Sequence, residues 1–153
     1  MKMQASRYHD ISVGHRVVGH EGKCRHLHGH NYRIHFHCEA QSLDDIGRVI
    51  DFSVIKDKLC MWLEDNWDHK FLFWTEDVLF KHLADCTEHY SCNENDMVDY
   101  YHSLVGVPFN PTAENMADYL LNVVAPKQLE GLGVVCTKVT IEETRKCSVT
   151  AEL

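Results

Sequence analysis

The chain has 153 residues, of which 44% are hydrophobic and 25% charged, and its net charge is −8. This length fits a single domain, and this composition excludes disordered, collagen-like and coiled-coil chains. No apolar run approaches the roughly 18 residues of a membrane-spanning helix, and the N-terminus lacks the apolar stretch of a secretion signal. We therefore expect a soluble, cytoplasmic protein with no membrane partner.

The N-terminal quarter of the chain is rich in histidine and locally basic. Eight of the 12 histidines and a local net charge of +4 fall within residues 1–38, on an otherwise acidic body. The negative total argues against nucleic acid as a partner, because neutralising phosphates requires a broad basic surface. A small anionic substrate fits the local basic patch. The seven cysteines include no Cys-x-x-Cys pair, which favours reduced thiols over a disulfide framework.

Two stretches of alternating residues predict strands that carry histidine. Over 11–17, His15 falls on the apolar side. Over 28–40, residues two apart share a face, so the histidines of this strand separate into an inward and an outward pair. These are His28 and His30, which point inward, and His35 and His37, which point outward.

The rest of the pattern predicts two main helices and further strands. In chain order these are a strand near 49–52, a helix capped by Ser53 and ending near Asn66, a short helix near 77–84, a helix capped by Thr112 and stopped by Pro126, and strands at 134–143 and 145–152. The acidic segment 75–107 is interpreted as an insertion. Alternation along the strand at 134–143 turns Glu143 inward. The order of elements predicts an α+β fold with mainly antiparallel pairing.

Three inward histidines on adjacent strands favour a metal site. His28 and His30 can bind one ion from the same face, and His15 on the neighbouring strand can supply a third imidazole. Three protein ligands leave the fourth position open, as in catalytic zinc sites. Imidazole ligands suit zinc best, although iron, copper and nickel also accept them. The alternative is a set of core histidines satisfied by hydrogen bonds, which a single inward histidine would favour and three do not.

Two further motifs supply candidate proton-transfer groups. Cys24 lies between Lys23 and Arg25, whose charges favour the thiolate that a base or nucleophile needs. Asp68 can orient His69 and stabilise its charged form. Taken alone, a free cysteine and a dipeptide that caps a helix are the simpler interpretations.

One further cysteine motif and five histidines are interpreted as ordinary surface residues, while His26, near the site, is left unassigned. Cys86-x-x-His89-x-x-Cys92 has no obvious fourth ligand for a metal ion. The histidines expected in solvent are His20, His35, His37, His82 and His102.

Taken together, these motifs resemble the 6-pyruvoyl-tetrahydropterin synthase family. The matching motifs occur in order almost from end to end: Ile-Ser-Val-Gly-His15, Cys24-Arg-His-Leu-His28-Gly-His30-Asn-Tyr, Gly47-Arg-Val-Ile-Asp51-Phe52, Asp68-His69, Pro111-Thr112-Ala-Glu114-Asn115 and Glu143-Thr144. The segment 75–107 lies outside the resemblance.

The resemblance implies a fold, a cofactor and roles for individual residues. The fold is the tunnelling fold, in which an antiparallel sheet and two main helices per subunit assemble into a homo-oligomeric barrel with sites at subunit interfaces. The residues that match the family's zinc ligands are His15, His28 and His30. The residues that match its catalytic groups are Cys24, Asp68 and His69. The residues that match its pterin-binding positions are Glu143, Thr112 and Glu114.

The three-residue gap between Cys24 and His28 resembles the bacterial branch that makes 6-carboxy-5,6,7,8-tetrahydropterin for queuosine and other 7-deazapurines. This implies conversion of 7,8-dihydroneopterin triphosphate to carboxytetrahydropterin, acetaldehyde and triphosphate. Lys23, Arg25 and Arg16 are candidates for binding the triphosphate. Alternatives are a pyruvoyl-type synthase, an aldolase-like activity on dihydroneopterin, and a module that binds a pterin or purine without turnover.

Overall fold

A six-stranded sheet with two long helices forms the fold in the computed structural model, which describes residues 2–85 and 99–153. The strand order is β4-β3-β1-β2-β5-β6. The strands are β1 Ala5–His15, β2 His28–Ala40, β3 Lys70–Trp74, β4 Leu104–Val107, β5 Val134–Glu142 and β6 Ser148–Glu152. Pairing is antiparallel among β1, β2, β5 and β6, whereas β3 runs parallel to β1 and β4 parallel to β3. The α+β class is confirmed, with a parallel extension at one edge.

Both long helices contain a π-helical turn. Helix α1 consists of Phe52–Ile55, the π turn Lys56–Cys60 and Met61–Asn66. A shorter helix, α2, spans Val78–Asp85, close to the predicted 77–84, and a helical turn lies at 99–102. Helix α3 consists of Ala113–Tyr119, the π turn Leu120–Val124 and Ala125–Gln128.

The prediction that α3 stops at Pro126 is wrong. Pro126 lies at the start of the last α-helical segment, directly after the π turn. Because the π turn already interrupts the regular hydrogen bonds of the helix, the missing N–H of proline costs little at this position. Thr112 caps the helix as predicted, and its hydroxyl accepts a hydrogen bond from the backbone N of Asn115.

The prediction of a strand near 49–52 is also wrong. Asp51, rather than Ser53, is the N-cap of α1, and its carboxylate accepts a hydrogen bond from the backbone N of Ser53 at 2.8 Å. Arg48 donates to Asp44 and to Asp51, each at 2.8 Å. These local bonds close a loop that leads into the helix.

Strand β1 is longer than predicted, and strands β3 and β4 were not predicted. The first half of β1 carries polar Arg7 and His9 on the same side as its apolar residues, which hides the alternation. The predicted strand at 11–17 therefore begins at Ala5 and ends at His15. Strand β3 is a continuous apolar run, Phe71-Leu72-Phe73-Trp74, with no alternation to mark it. The Cys86-x-x-His89-x-x-Cys92 motif lies outside the described residues.

The two faces of the sheet differ in character. The helices cover the inner face, where the core residues include Ile11, Val13, Ile34 and Phe36 from the strands and Leu59, Leu63, Met116 and Leu120 from the helices. The outer face of the central strands carries polar side chains, including Asp10, Ser12, Asn31, Arg33 and Glu142. In the described part of the chain, no helix has the length and apolar character needed to cross a membrane.

Candidate metal centre and active site

Three histidines meet on the inner face where β1 ends and β2 begins. His15 lies opposite His28 in the β1–β2 ladder, and His30 lies opposite Val13. The Nε2 atoms of His15 and His28 are 3.0 Å apart, and the centroids of the three rings are 4.5–5.2 Å apart. The structure thus brings together the three residues that the sequence predicts as metal ligands.

Backbone carbonyls orient two of these imidazoles. His15 Nδ1 donates to Pro111 O at 2.6 Å, and His28 Nδ1 donates to His26 O at 2.6 Å. A carbonyl oxygen can only accept, so each Nδ1 carries the proton and each Nε2 presents a lone pair to the cluster. Such hydrogen bonds fix the tautomer and ring orientation of metal-binding histidines.

Glu143 adds a carboxylate to the cluster. Its Oε1 lies 2.9 Å from His30 Nε2 and 3.6 Å from His15 Nε2. His30 Nε2 is buried, and neither Glu143 nor any other group meets the geometry of a hydrogen bond to it, so this nitrogen is available as a metal ligand. The four ligand atoms lie within 4.8 Å of one another. Two nitrogens bound to one tetrahedral zinc ion lie about 3.4 Å apart, so the spacing and chemistry of this donor set fit a divalent metal.

Burial keeps these imidazoles in the form that binds metal. His15 is 1% exposed, and burial lowers its pKa to about 4, against the opposing effect of its hydrogen bond to Pro111. Burial also lowers the pKa of His30, while the carboxylate of Glu143 opposes that change. Both side chains are therefore neutral near pH 7, and neutral imidazole is the metal-binding state.

Cys24 lies on a short 3-10 turn, Lys23–Arg25, in the loop between β1 and β2. Its carbonyl accepts a hydrogen bond from Val17 N at 2.8 Å, which closes the loop, and its thiol is half-buried. Lys23 and Arg25 are exposed on either side of it.

Tyr32 is a neighbour of the cluster to which the sequence assigned no role. Its hydroxyl is 3.3 Å from His15 Nε2. Burial raises the pKa of the phenol, and the charges of Glu143 and Cys24 raise it further. Tyr32 is therefore a neutral hydrogen-bonding group. Its inward position two residues after His30 was the available sequence signal.

Asp68 and His69 form the predicted pair, and they lie in a cleft on the outer face. Asp68 Oδ2 is 2.8 Å from His69 Nδ1, and Asp68 Oδ1 accepts from Ser12 N at 2.9 Å. The pair lines a cavity of about 560 Å³ with outer-face residues that include Ser12, Asn31 and Arg33. The side chain of His69 is 79% exposed.

The backbone of His69 is held in an unusual conformation. Its φ is 58°, the left-handed region that non-glycine residues seldom adopt. A hydrogen bond from His69 N to Ser12 O, 2.7 Å long, fixes this geometry at the edge of β1. Strain of this kind costs of order 1 kcal/mol and concentrates at functional sites.

The other predicted site residues are exposed or bind partners outside the cluster. The Thr112 hydroxyl caps α3, and Glu114 is exposed in the first turn of that helix. Arg16, expected to be available to an anionic substrate, is bound to Asp77 instead. On the outer face, His35 is half-buried and pairs with Glu142 at 2.7 Å, so it is less solvated than expected.

Comparison with known proteins places the chain in a family. The sequence model described as 6-pyruvoyl tetrahydropterin synthase matches residues 4–153. The chain belongs to this family. A Rickettsia felis protein named 6-carboxy-5,6,7,8-tetrahydropterin synthase is 32% identical over 148 residues, which cover 96% of this chain and 98% of that protein. A Rickettsia bellii protein of the same name is 33% identical over 147 residues, with the same coverage.

Solved structures show the fold of the 6-pyruvoyl tetrahydropterin synthase family. An uncharacterized Wolinella succinogenes protein superposes with a TM-score of 0.84 at 26% identity, covering 99% of this chain and 98% of that one. The Caenorhabditis elegans 6-pyruvoyl tetrahydropterin synthase gives a TM-score of 0.67 at 24% identity, covering 100% and 96%. The predicted tunnelling fold is confirmed for the single chain, as is the prediction that the chain is an enzyme of this family.

Proposed function

We propose that the protein is a zinc-dependent 6-carboxy-5,6,7,8-tetrahydropterin synthase. It converts 7,8-dihydroneopterin triphosphate to carboxytetrahydropterin, acetaldehyde and triphosphate. The observation that carries the proposal is the cluster of His15, His28 and His30. Backbone carbonyls bind Nδ1 of His15 and His28, which leaves their Nε2 atoms to face a metal ion. The two Rickettsia proteins of this name, similar over nearly their whole length, support the same activity.

The three histidines hold the metal in this proposal. Zinc bound there supplies a Lewis acid that lowers the pKa of substrate hydroxyls. The thiolate form of the half-buried Cys24 accepts a substrate proton, and Lys23 and Arg25 beside it bind the triphosphate.

The proton relay and the pterin pocket complete the proposed site. His69, oriented by Asp68, moves protons during triphosphate loss and carbon–carbon cleavage. Thr112 and Glu114 line the pterin pocket.

Glu143 anchors the pterin ring in this proposal, through charge-assisted hydrogen bonds to its guanidine-like edge. Its position beside His30 Nε2 also suits a fourth metal ligand. Glu143→Gln separates the two roles. We expect the variant to keep zinc and to raise KM for the pterin; loss of zinc from this variant would make Glu143 a ligand.

The arrangement of the faces supports a homo-oligomer with sites at subunit interfaces. The metal cluster lies on the inner face, whereas His69 lies on the outer face and is highly exposed. Mixing Cys24→Ala with His69→Asn tests this. If one site uses Cys24 and His69 from different subunits, re-formed mixed oligomers regain part of the activity that each variant lacks, and their failure to do so would place both groups in one subunit.

The reaction itself is tested by incubating the zinc-loaded protein with 7,8-dihydroneopterin triphosphate and identifying the pterin and any acetaldehyde by mass spectrometry. We expect both carboxytetrahydropterin and acetaldehyde. Cys24→Ala should lose activity and keep zinc, while Cys147→Ala, which removes an exposed thiol elsewhere, is the matched control. A pyruvoyl product would assign the protein to the other branch of the family, and binding without conversion would support a pterin-binding module.

We further propose that the enzyme acts in the cytoplasm and that its product is used to make queuosine or another 7-deazapurine.

A further inference from the structure

Arg16 forms a bidentate ion pair with a buried carboxylate from a distant segment. Its Nε lies 2.7 Å from Asp77 Oδ2 and its Nη2 lies 2.9 Å from Asp77 Oδ1, although the two residues are 61 positions apart. Asp77 is 1% exposed and Arg16 22%. Two parallel charge-assisted hydrogen bonds fix the direction of the guanidinium as well as its position.

The same guanidinium reaches the turn that carries Cys24. Arg16 Nη1 donates to Arg25 O at 3.2 Å, directly after Cys24. The next residue, Val17, donates its backbone N–H to Cys24 O. Arg16 therefore connects Asp77 to the 3-10 turn Lys23–Arg25.

Asp77 is itself held firmly at the start of α2. Its carboxylate accepts from Leu79 N at 3.0 Å, and its carbonyl accepts from Phe80 N at 3.1 Å. Phe80 packs against Phe71 and Phe73 of β3, with ring centroids 5.1 and 4.8 Å apart. The carboxylate of Asp77 is thus a fixed point set by β3 and α2.

We propose that Asp77 is a positioning residue that holds, through Arg16, the turn presenting Cys24. The segment that follows β3 thereby sets the geometry of the thiol relative to the histidine cluster. The effect on turnover rests on the proposed synthase activity, whereas the effect on the thiol does not. A purely structural role would limit Asp77 to the docking of α2.

The first test compares Asp77→Asn with the wild-type full chain, both loaded with zinc. Asparagine keeps the shape and the helix cap and removes the charge that aligns Arg16. We expect kcat to fall by about tenfold or more, because small displacements of a reacting group are costly, while KM and zinc content change less than about twofold. Glu76→Gln is the matched control, since Glu76 is the adjacent, exposed carboxylate and pairs with Lys81 at 3.9 Å.

A second readout follows the thiol directly and needs no turnover. The rate of alkylation of Cys24 by iodoacetamide is measured against pH, with the Cys24 peptide resolved by mass spectrometry. We expect alkylation in Asp77→Asn to be faster by about twofold or more, because a turn that has lost its connection to Asp77 opens more often and exposes its half-buried thiol. The Glu76→Gln profile should match wild type.

Arg16→Lys tests the same contact from its other side, in case Asp77→Asn does not fold. Lysine keeps a cation beside Asp77 but cannot reach both carboxylate oxygens and Arg25 O at once. We expect the same loss of kcat and the same change in the alkylation profile.

The outcomes that overturn the proposal are distinct from those that overturn the synthase. The positioning role of Asp77 would be overturned if the folded variants had the kcat and the alkylation profile of the wild type. It would also be overturned if the variants lost stability and nothing else changed. If the wild-type protein makes no carboxypterin, the synthase fails and the alkylation profiles still decide the role of Asp77.

Discussion

The histidine cluster lies on the β1–β2 hairpin, whereas the Asp68–His69 pair precedes β3 and is hydrogen-bonded to Ser12 of β1. The two regions are held in opposite ways. His15 is 1% exposed and is braced by Pro111, 96 positions away. His69 is 79% exposed and is oriented by its neighbour in sequence. A buried ligand held by a distant residue is preorganised for an ion, while the exposed imidazole of His69 is accessible to molecules that approach from solvent. The chain thus separates its candidate metal site from its candidate proton-transfer group across one sheet.

The largest effect is expected from removing a cluster residue. His28→Ala should weaken metal binding by at least about 100-fold, because the loss of a ligand exceeds the effect of removing an outer partner, and activity should disappear with the metal. Metal analysis of the purified variant measures this. His35→Ala, on the outer face of the same strand, is the control and should keep its metal. Full zinc in His28→Ala would refute the ligand set.

The exposed pair should affect turnover and leave the metal in place. His69→Asn removes the imidazole but retains a residue that accepts positive φ. We expect kcat to fall by about 10²–10⁴-fold, the usual contribution of a general acid or base, with normal zinc content. His102→Asn, also at an exposed histidine, should behave as wild type. Loss of zinc from His69→Asn would show that His69 and the histidine cluster belong to one metal site.

Burial of the cluster should make the metal-free protein sensitive to acid. Because the pKa of His15 is about 4 in the fold and 6.5 in a free side chain, the unfolded chain binds a proton in this interval that the folded chain rejects. The free energy of unfolding of the metal-free protein is therefore highest, as far as His15 is concerned, above pH 6.5. It decreases by up to about 3 kcal/mol as the pH falls towards 4. Urea unfolding between pH 4.5 and 7 measures it. His15→Gln should flatten this dependence, and an identical slope in both proteins would contradict the assignment.

The smallest effect is expected where the two regions adjoin. Gly14 precedes His15, and a Cβ at this position would lie 2.6 Å from Phe71 Cδ2, two residues after His69. Gly14→Ala should therefore destabilise the protein by about 1–3 kcal/mol through overpacking. Thermal unfolding measures the loss. Gly14→Ala combined with Phe71→Leu should recover part of it, and no recovery would show that the clash lies elsewhere.

Sequence patterns predicted the parts of the site that depend on neighbours along the chain. Alternation placed His28 and His30 on one face, because a strand has a period of two residues. It also turned Glu143 inward. The brace from Pro111 to His15 and the ion pair of Arg16 with Asp77 join distant residues, and no local pattern encodes them. The π turns also escape a pattern-based prediction, because the apolar residues of both segments satisfy a regular helical period.

The brace from Pro111 to His15 also bears on how the protein folds. Strand β2 by itself places His28 and His30 on one face, but the orientation of His15 depends on the carbonyl of Pro111 at the start of α3. Glu143 belongs to a third segment, directly after β5. A bound metal ion would favour only the state in which all these segments have assembled, so metal affinity becomes a measure of complete folding. Variants that misassemble far from the cluster should then be recognisable by the metal they fail to retain.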